Sequence, residues 1–250
     1  MIDLSGRTAL VTGGSRGVGR ATAVMFAAAG ADVAITCRSR AADAEATAGA
    51  IRGMGRRALV LTGDLAEPAT GERFARAAQE EFGQLDFLVA NAGVWPAEPV
   101  RLAAVSDERW RSTLSVNLDG VFFLVRAALP LLRVGGSVVL VSSTAAQRGE
   151  AGHADYAASK GALIALTKSL AVECAPDVTV NCVAPGWIDT EMSADAYAGG
   201  GRDRISATIP LGRVASADDV AGPILFLCSP LARHITGEIL NVNGGSVLCG

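Results

Sequence analysis

The chain has 250 residues, a length that suits one larger α/β domain or two small ones. Half of the residues are hydrophobic, the formal net charge is −3, and the basic residues are scattered, so the composition indicates a large core and excludes a nucleic-acid surface. The opening stretch MIDLSGRTALV has no basic region before a long apolar run, and no segment reaches about 18 uninterrupted apolar residues. We therefore expect no signal peptide, no membrane span and a cytoplasmic protein.

Cysteine and histidine are too dispersed to predict a metal site. The chain has five cysteines and two histidines. The cysteines form no Cys-x-x-Cys pair, and the histidines are far apart, so neither a zinc site nor a histidine-based triad is expected. The residues are Cys37, Cys174, Cys182, Cys228, Cys249, His153 and His234.

Strand and helix patterns alternate from one end of the chain to the other. Short apolar runs predict strands at RTALVT, DVAITC, RALVLT, LDFLVA, GSVVLVSS, VTVNCVA and EILNVNGG. Helical patterns lie between them at GRATAVMFAAAG, AADAEATAGAIRGMG and GERFARAAQEEFG, then from about Ser106 to Leu132, around YAASK, and at VAGPILFLC. Ser106 is a predicted N-cap, and Ser216 with Asp219 forms a capping-box pattern.

The repeated β-α units predict a Rossmann-like, doubly wound α/β fold in a single domain, residues 1–250. We expect seven parallel strands in the order 3-2-1-4-5-6-7 with helices on both faces. Ligands in such sheets bind at the carboxyl ends of the strands, near the switch point. The glycine-rich stretch GWIDTEMSADAYAGGGRD is predicted to be a long loop with a helical turn or two, and residues of about 189–208 a loop that closes over substrate.

A glycine-rich turn follows the first predicted strand. In TGGSRGVGRA, Gly13, Gly17 and Gly19 fall where the strand passes into a helix. Glycine lets the backbone approach a pyrophosphate closely, and the helix N-terminus offers free N–H groups to phosphate. A tight turn chosen for packing is the alternative, but the position after the first strand favours nucleotide binding.

Several motifs together resemble the short-chain dehydrogenase/reductase family over essentially the whole chain. In chain order they are TGGSRGVG, GDL with Asp64, ANAG from Ala90 to Gly93, Asn117 in VNLDG, Ser143, YAASK and PGWIDT. The closing IPLGR…ITGEILNVNGG looks most like the branch of β-ketoacyl-acyl-carrier-protein reductases. Ala90 departs from the family, in which many members have Asn there.

This resemblance implies an oxidoreductase with a nicotinamide cofactor. By position, the cofactor-binding residues it implies are Gly13, Ser15, Arg16, Gly17, Val18, Gly19, Arg38, Asp64, Leu65, Asn91, Ala92, Gly93, Tyr156, Lys160, Pro185, Gly186, Ile188 and Thr190.

The residues after the second strand favour NADP(H) over NAD. An NAD site usually carries an acid at this strand end, whereas here Cys37 is followed by Arg38. Arg38, with Arg16 from the glycine turn, can grip a 2′-phosphate with a planar guanidinium. Alternatively, both arginines are solvated surface residues. Asp64 is expected, by the family resemblance, to contact the adenine; alternatively, it is the N-cap of the next helix.

Tyr156 and Lys160 lie four residues apart, on one face of a predicted helix. A free phenol has a pKa of about 10, and a nearby ammonium lowers it toward the range of a proton shuttle. By resemblance Lys160 also holds the nicotinamide ribose, Ser143 polarises the substrate carbonyl, and Asn117 anchors a proton-relaying water. Tyr156 would then give its proton to the carbonyl oxygen as hydride reaches the carbon. Each residue alone also fits a helix surface, a strand-end turn or a helix interior.

The predicted activity is an NADPH-dependent reduction of a 3-oxoacyl thioester, as in fatty acid biosynthesis. The alternatives are a secondary-alcohol, sugar or cyclic-ketone dehydrogenase and, in another class, a non-catalytic nucleotide-binding regulator. His153 is expected to be solvated near the pocket mouth, and the two tryptophans either shape the pocket or only pack. Candidate substrate residues are Ser143, Ala145, Gln147, Trp95, His153 and Trp187.

The predicted partners are a carbonyl substrate, either a small molecule or an acyl thioester, and an acyl carrier protein. Arg101, Arg148 and Arg202 are weak docking candidates, because no basic patch is readable in the sequence. The resemblance implies a homotetramer, built in the family on the YAASK helix and the long helix before it.

Overall fold

Seven parallel strands form one sheet in the order β3-β2-β1-β4-β5-β6-β7, as predicted. The structure, a computed structural model, describes residues 2–248, so Cys249 lies outside the described residues. The strands are β1 (Thr8–Val11), β2 (Asp32–Cys37), β3 (Ala58–Thr62), β4 (Leu85–Ala90), β5 (Leu132–Val141), β6 (Val178–Pro185) and β7 (Ile239–Val242).

Helices follow the strands in the alternation that the sequence predicts. Their bounds are α1 (Gly17–Ala28), α2 (Ala41–Gly53), α3 (Pro68–Phe82), α4 (Asp107–Leu114), α5 (Gly120–Ala128), α6 (Ala145–Arg148), α7 (Ala154–Glu173), α8 (Ala194–Tyr197), α9 (Gly201–Thr208) and α10 (Ala217–Leu227). The predicted capping box starts α10: the Ser216 hydroxyl accepts from the Asp219 N–H at 3.2 Å, and the Asp219 carboxylate accepts from the Ser216 N–H at 2.7 Å.

Both faces of the sheet are buried. Successive side chains of a strand point to opposite faces, so Ala9 and Val11 join one core and Leu10 joins the other. The first core contains residues of α1, α2 and α10, and the second contains residues of α3, α5 and α7. This two-sided burial explains why the strands read as continuous apolar runs.

The predicted long helix is divided in the structure. A π turn at Ser115–Asp119 separates α4 from α5, and a 3₁₀ turn at Leu129–Leu131 ends the helical segment. Ser106 caps α4, since its hydroxyl accepts from the Arg109 N–H at 3.2 Å.

The same helical segment, Asp107–Leu131, is long and apolar enough to cross a membrane by length and composition alone, with a mean hydropathy of 1.5 in its best window. Its buried residues include Val121, Leu124 and Val125, which pack in the second core. Packing against a sheet produces this composition in a helix of a globular domain as well.

The predicted long loop after β6 is largely helical, so that part of the prediction is wrong. A 3₁₀ turn at Glu191–Ser193 leads into α8, and a second one at Ala198–Gly200 leads into α9. The segment is fastened to its own start, because the Tyr197 hydroxyl donates to the Ile188 carbonyl at 2.8 Å. Short helices interrupted by positive-φ glycines resemble a loop in sequence, since no single apolar period runs through them.

Candidate cofactor and catalytic site

One pocket of about 460 Å³ opens at the carboxyl ends of the strands, the edge of the sheet where ligands are expected. The glycine turn after β1 lies in its wall together with residues that follow β2, β4, β5 and β6. The sheet order therefore brings together motifs that are far apart in the sequence; Gly13 and Gly186, for example, are separated by 173 positions.

The glycine turn has the close backbone packing that a pyrophosphate site requires. Gly13 has φ +70°, and a Cβ on Gly19 would lie 2.2 Å from the Gly13 carbonyl oxygen, so neither position tolerates a side chain without rearrangement. Helix α1 begins at Gly17 with no side-chain hydrogen bond capping it. Its first N–H groups are therefore available to an anion, and the residues present fit the phosphates of a dinucleotide.

Thr12 holds the segment after β4 against this turn. Its hydroxyl accepts from the N–H groups of Asn91 and Ala92 at 3.0 and 2.9 Å, and the Asn91 side chain donates to the Thr12 carbonyl at 2.9 Å. Three hydrogen bonds across neighbouring strand ends make this wall of the pocket a rigid one. Gly93 continues the wall, 3.2 Å from the Lys160 ammonium when a Cβ is built on it.

Arg38 and Asp64 face each other at the far end of the pocket. The Arg38 guanidinium lies 3.8 Å from the Asp64 carboxylate, and both side chains are exposed. Asp64 accepts from the Ala66 N–H at 3.0 Å, while the N-cap position of α3 is occupied by Glu67, whose side chain makes no capping hydrogen bond. The alternative interpretation of Asp64 as a helix cap is therefore wrong.

Lys160 is buried on α7 and lies at the pocket floor. It is 4% exposed, and its ammonium donates to the Val141 carbonyl at 2.9 Å. Burial lowers the pKa of Lys160 to about 8, against a weaker opposing effect of Cys182. The ammonium is thus mostly protonated at pH 7 and able to release its proton close to neutral pH.

Tyr156 lies one turn earlier, on the same face of α7, with its ring half-buried. Burial raises the pKa of Tyr156 to about 12; the Ser143 hydroxyl opposes this shift, and the charge of Glu150 adds to it. The expectation that Lys160 lowers this pKa is not met in the protein alone. The ammonium lies 6.0 Å from the ring centroid, too far to offset the loss of solvent.

Asn117 lies in the π turn and is completely buried. Its side-chain oxygen accepts from the Val94 N–H at 2.8 Å, and its side-chain nitrogen donates to the Val94 carbonyl at 3.0 Å and to the Ser159 hydroxyl at 3.1 Å. Asn117 therefore ties the segment after β4 to α7 and does not itself line the pocket. π turns inside helices occur frequently at functional sites.

Aromatic side chains surround the open side of Tyr156. The Trp95 ring stands edge-on to Tyr156 at 4.7 Å between centroids, and Trp187 lies 6.3 Å from Trp95. His153 is not solvated as expected: it is 7% exposed, because it stacks on Trp95 at 3.9 Å. The His153 Nε2 atom has no hydrogen-bond partner among the described residues.

Most of the predicted site residues line this one pocket, and four do not. Gln147 turns away to donate to the Asn241 side chain at 2.6 Å, and Gly19, Asn117 and His153 lie behind the surface. The residues that do line it are Gly13, Ser15, Arg16, Gly17, Val18, Arg38, Asp64, Leu65, Asn91, Ala92, Gly93, Trp95, Ser143, Ala145, Tyr156, Lys160, Pro185, Gly186, Trp187, Ile188 and Thr190.

Sequence reasoning assigned no cofactor or substrate role to five charged residues that line the pocket, which are Arg40, Arg148, Glu150, Asp189 and Glu191. Arg40 is two residues beyond Arg38, and a search for every basic residue after β2 finds it. Glu150 and Glu191 belong to no motif, so only the fold shows that they face the site. Within residues 2–248 the structure shows no group of three or more His, Cys, Asp or Glu side chains able to hold a metal ion.

The fold and the pocket define a dinucleotide-binding protein, with a phenol and an ammonium placed for proton transfer beside the cofactor site. A family model described as enoyl-(acyl carrier protein) reductase matches residues 13–246. The chain belongs to the short-chain dehydrogenase/reductase family and is an oxidoreductase.

Relatives with different substrates are equally similar to the chain. It is 39% identical to the L-rhamnose 1-dehydrogenase (NAD(P)(+)) of a Sphingomonas species, over 97% of this chain and 96% of that protein. It is also 39% identical to the 3-oxoacyl-[acyl-carrier-protein] reductase of Escherichia coli, over 98% of each. A short-chain dehydrogenase from Burkholderia cenocepacia, solved in complex with NADP, superposes with a TM-score of 0.92 at 40% identity, over 97% of this chain and 98% of that one.

Proposed function

We propose that the protein is an NADPH-dependent carbonyl reductase whose substrate is a 3-oxoacyl thioester, reduced to the 3-hydroxyacyl form. The observation that carries this proposal is the single pocket in which Ser143, Tyr156 and Lys160 share a floor with the glycine turn. The similarity to the Escherichia coli 3-oxoacyl-[acyl-carrier-protein] reductase supports the choice of substrate. Because the chain is an oxidoreductase of this family and has Ser143, Tyr156 and Lys160, the non-catalytic nucleotide-binding regulator is not proposed.

The proposed cofactor lies along the carboxyl ends of the strands. The glycine turn and the start of α1 hold its pyrophosphate, and Arg38 with Arg16 holds the 2′-phosphate. Asn91–Gly93 and Lys160 hold the nicotinamide ribose. Residues from Pro185 to Thr190 hold the nicotinamide. When bound, the reduced nicotinamide supplies the hydride.

Three side chains carry the proposed proton chemistry. The Ser143 hydroxyl orients the carbonyl oxygen, and the Tyr156 hydroxyl donates its proton to that oxygen. Lys160 stabilises the phenolate that remains, because an ammonium in a water-poor pocket acts strongly on a developing negative charge. Asn117 holds the segment at Val94 against α7, the helix that carries Tyr156 and Lys160, through hydrogen bonds to the Val94 backbone and to Ser159.

The proton-donor role is tested by Tyr156→Phe, with Tyr197→Phe as the matched control, since the chain has two tyrosines. We expect Tyr156→Phe to bind NADPH normally and to lose turnover of an acetoacetyl thioester by at least about a hundredfold, a typical contribution of general acid catalysis. Tyr197→Phe should lose far less. Unchanged turnover in Tyr156→Phe would refute the assignment.

The cofactor preference is tested by Arg38→Ala. If Arg38 holds the 2′-phosphate, the substitution weakens NADPH binding and leaves NADH binding nearly unchanged. Arg52→Ala is a suitable control, because Arg52 lies on α2, outside the pocket lining, and pairs with Glu45. Equal losses for both cofactors in Arg38→Ala would contradict the proposal.

A sugar or secondary-alcohol dehydrogenase is the second candidate. The Trp95 and Trp187 rings at the open side of Tyr156 provide flat apolar surfaces, which suit sugar and cyclic-ketone faces as well as acyl chains. The rhamnose dehydrogenase relative points in the same direction. Turnover measured side by side with an acetoacetyl thioester and with L-rhamnose distinguishes the two: activity on the sugar alone would replace the first candidate.

An acyl carrier protein is the proposed macromolecular partner. Arg148 pairs with Glu150 at 3.0 Å and Arg202 with Asp189 at 2.6 Å, so two of the three docking candidates already contact a carboxylate. A carrier protein that lowers the KM of the thioester relative to the coenzyme A form would support docking, and an equal KM would contradict it.

We also propose a cytoplasmic homotetramer. Phe122 on α5 and Val172 on α7 are exposed apolar side chains on the two helices expected to form subunit contacts. Light scattering should give four times the chain mass of 25.4 kDa. The mass of a single chain would refute the tetramer.

A further inference from the structure

A carboxylate lies between two arginines at the adenosine end of the pocket. One Glu191 oxygen is 2.5 Å from the Arg16 guanidinium and 2.8 Å from the Arg40 guanidinium, and Arg40 reaches the second oxygen at 3.4 Å. All three residues line the pocket. They come from different elements: Arg16 from the glycine turn, Arg40 from the segment after β2, and Glu191 from the turn that leads into α8.

We propose that Glu191 is a cofactor-specificity residue that competes with the 2′-phosphate of NADP(H) for Arg16 and Arg40. The inference rests on the proposed use of NADP(H) and deepens it. A carboxylate and a phosphate offer the same kind of paired oxygen acceptors to a guanidinium. Two of the three arginines at this end of the pocket, Arg16 and Arg40, are therefore paired with the protein's own anion before the cofactor binds, while Arg38 lies beside Asp64.

The charges and the exposure indicate which anion wins. The three side chains are about half exposed, at 46%, 44% and 57% for Arg16, Arg40 and Glu191, and exposed ion pairs are weak. A phosphomonoester carries a charge of about −1.5 to −2 near pH 7, against −1 for a carboxylate. The 2′-phosphate can thus displace Glu191, but its affinity is reduced by the pairs that it must break.

NAD(H) makes no such demand. It carries a ribose 2′-hydroxyl in place of the phosphate, so Glu191 remains paired with the arginines and offsets part of their positive charge. A carboxylate near this hydroxyl is also the usual acceptor in NAD sites. Glu191 therefore narrows the difference in affinity between the two cofactors, and its removal should widen that difference in favour of NADP(H).

The test is calorimetric titration of the full-length protein with 2′,5′-ADP and with 5′-AMP, which separates phosphate recognition from turnover. We expect Glu191→Gln to bind 2′,5′-ADP about threefold to tenfold tighter than the wild type, the size expected for relieving one or two exposed ion pairs. The affinity for 5′-AMP should stay within about twofold or fall, because 5′-AMP has no 2′-phosphate to pair with the arginines that the substitution frees. The gain should shrink in high salt, because exposed charges are screened.

Asp195→Asn is the matched control. It removes the same charge four residues further along, from an exposed side chain on α8 that forms no ion pair with the other described residues. We expect less than about a twofold change for either nucleotide, because an exposed charge that pairs with neither arginine is largely screened by water and salt. An equal gain in Asp195→Asn would attribute the effect to net charge and overturn the proposal.

Other outcomes also decide the matter. Weaker 2′,5′-ADP binding in Glu191→Gln would mean that Glu191 orders the arginines, and unchanged binding would mean that it has no effect on them. An equal gain in affinity for 5′-AMP would mean that Glu191 does not act on the 2′-phosphate. Each of these three results overturns the inference. A wild type that binds both nucleotides equally would contradict the proposed NADP(H) use. If Glu191→Gln then created a preference for 2′,5′-ADP, the proposed competition at Glu191 would still hold, although the wild type would not be specific for NADP(H). Absence of binding in every variant would overturn both.

Discussion

The buried ion pair between Arg109 and Asp155 holds the start of the catalytic helix, and breaking it should destabilise the protein strongly. Asp155 is completely buried, directly before Tyr156, and its carboxylate accepts from Arg109 at 3.0 Å and from the Thr113 hydroxyl at 3.1 Å. Arg109 also donates to the Glu98 carbonyl at 2.7 Å. The perturbation is Arg109→Met, which keeps the apolar length of the side chain and removes its charge.

The expected cost follows from burial. Removing one partner of a buried pair costs roughly 3–5 kcal/mol, because it leaves an uncompensated charge. One Asp155 oxygen already has no hydrogen-bond partner among the described residues, and Arg109 is 17% exposed. Since Thr113 still donates in the variant, we expect a loss of roughly 2–4 kcal/mol in the free energy of unfolding. For a chain of this size the melting temperature should fall by roughly 5–15 °C.

The pH dependence has a definite sign. Burial acts to raise the pKa of Asp155, but the hydrogen bonds from Arg109 and Thr113, together with the nearby Tyr156 backbone N–H, outweigh it, so the pKa is lowered from 3.8. A lowered pKa stabilises the folded state above the ordinary value and loses that stabilisation as the pH falls below it. The difference between wild type and Arg109→Met should therefore be largest near pH 7 and shrink as the pH falls, because Asp155 becomes protonated first in the variant, which lacks the Arg109 charge, and only at lower pH in the wild type.

The assay is thermal unfolding of both proteins, with Arg111→Met as the control. Arg111 lies on the same helix, but it and its partner Asp107 are largely exposed, so the control should shift stability by less than about 1 kcal/mol. Asp155→Asn combined with Arg109→Met should recover part of the loss, because the buried charge is then gone. A melting temperature for Arg109→Met that matches the Arg111→Met control would refute the reasoning.

Three further predictions concern the pocket and the helices. Gly19→Ala should abolish cofactor binding measured by calorimetry, since its Cβ would lie 2.2 Å from the Gly13 carbonyl oxygen; cofactor binding equal to that of the Gly49→Ala control would contradict this. The control adds a Cβ in open space inside α2 and should raise the free energy of unfolding by about 0.5–1 kcal/mol. Because the pKa of Lys160 is lowered to about 8, burying its charge costs free energy in full below about pH 8, and this cost is relieved above it. The wild type should therefore gain stability relative to Lys160→Met between pH 8 and 10, whereas a stability difference that stays constant with pH would argue against a buried charge. Ser216→Ala should cost about 1 kcal/mol in chemical denaturation, and no loss would show that the capping box contributes nothing.

The motifs allowed most of the site to be predicted, because each lies at a strand end and parallel strand ends share one edge of the sheet. Gln147 and His153 show where that reasoning failed. Both follow β5 close to Ser143, yet one bonds to Asn241 on β7 and the other stacks on Trp95. Proximity in sequence does not specify which way a side chain turns in a short helix or loop, where contacts with other elements decide.

The seven-stranded sheet and the position of the glycine turn could be predicted from the order of apolar runs, glycines and caps, since periodicity and turn chemistry are local properties. The i, i+4 spacing likewise determined that Tyr156 and Lys160 share a helix face. The directions in which their pKa values shift depend on the folded protein, because desolvation depends on everything packed around a group. Only the tertiary structure decided that Glu191 meets Arg16 across 175 positions of sequence, since a contact between elements exists only after the sheet has brought them to one edge.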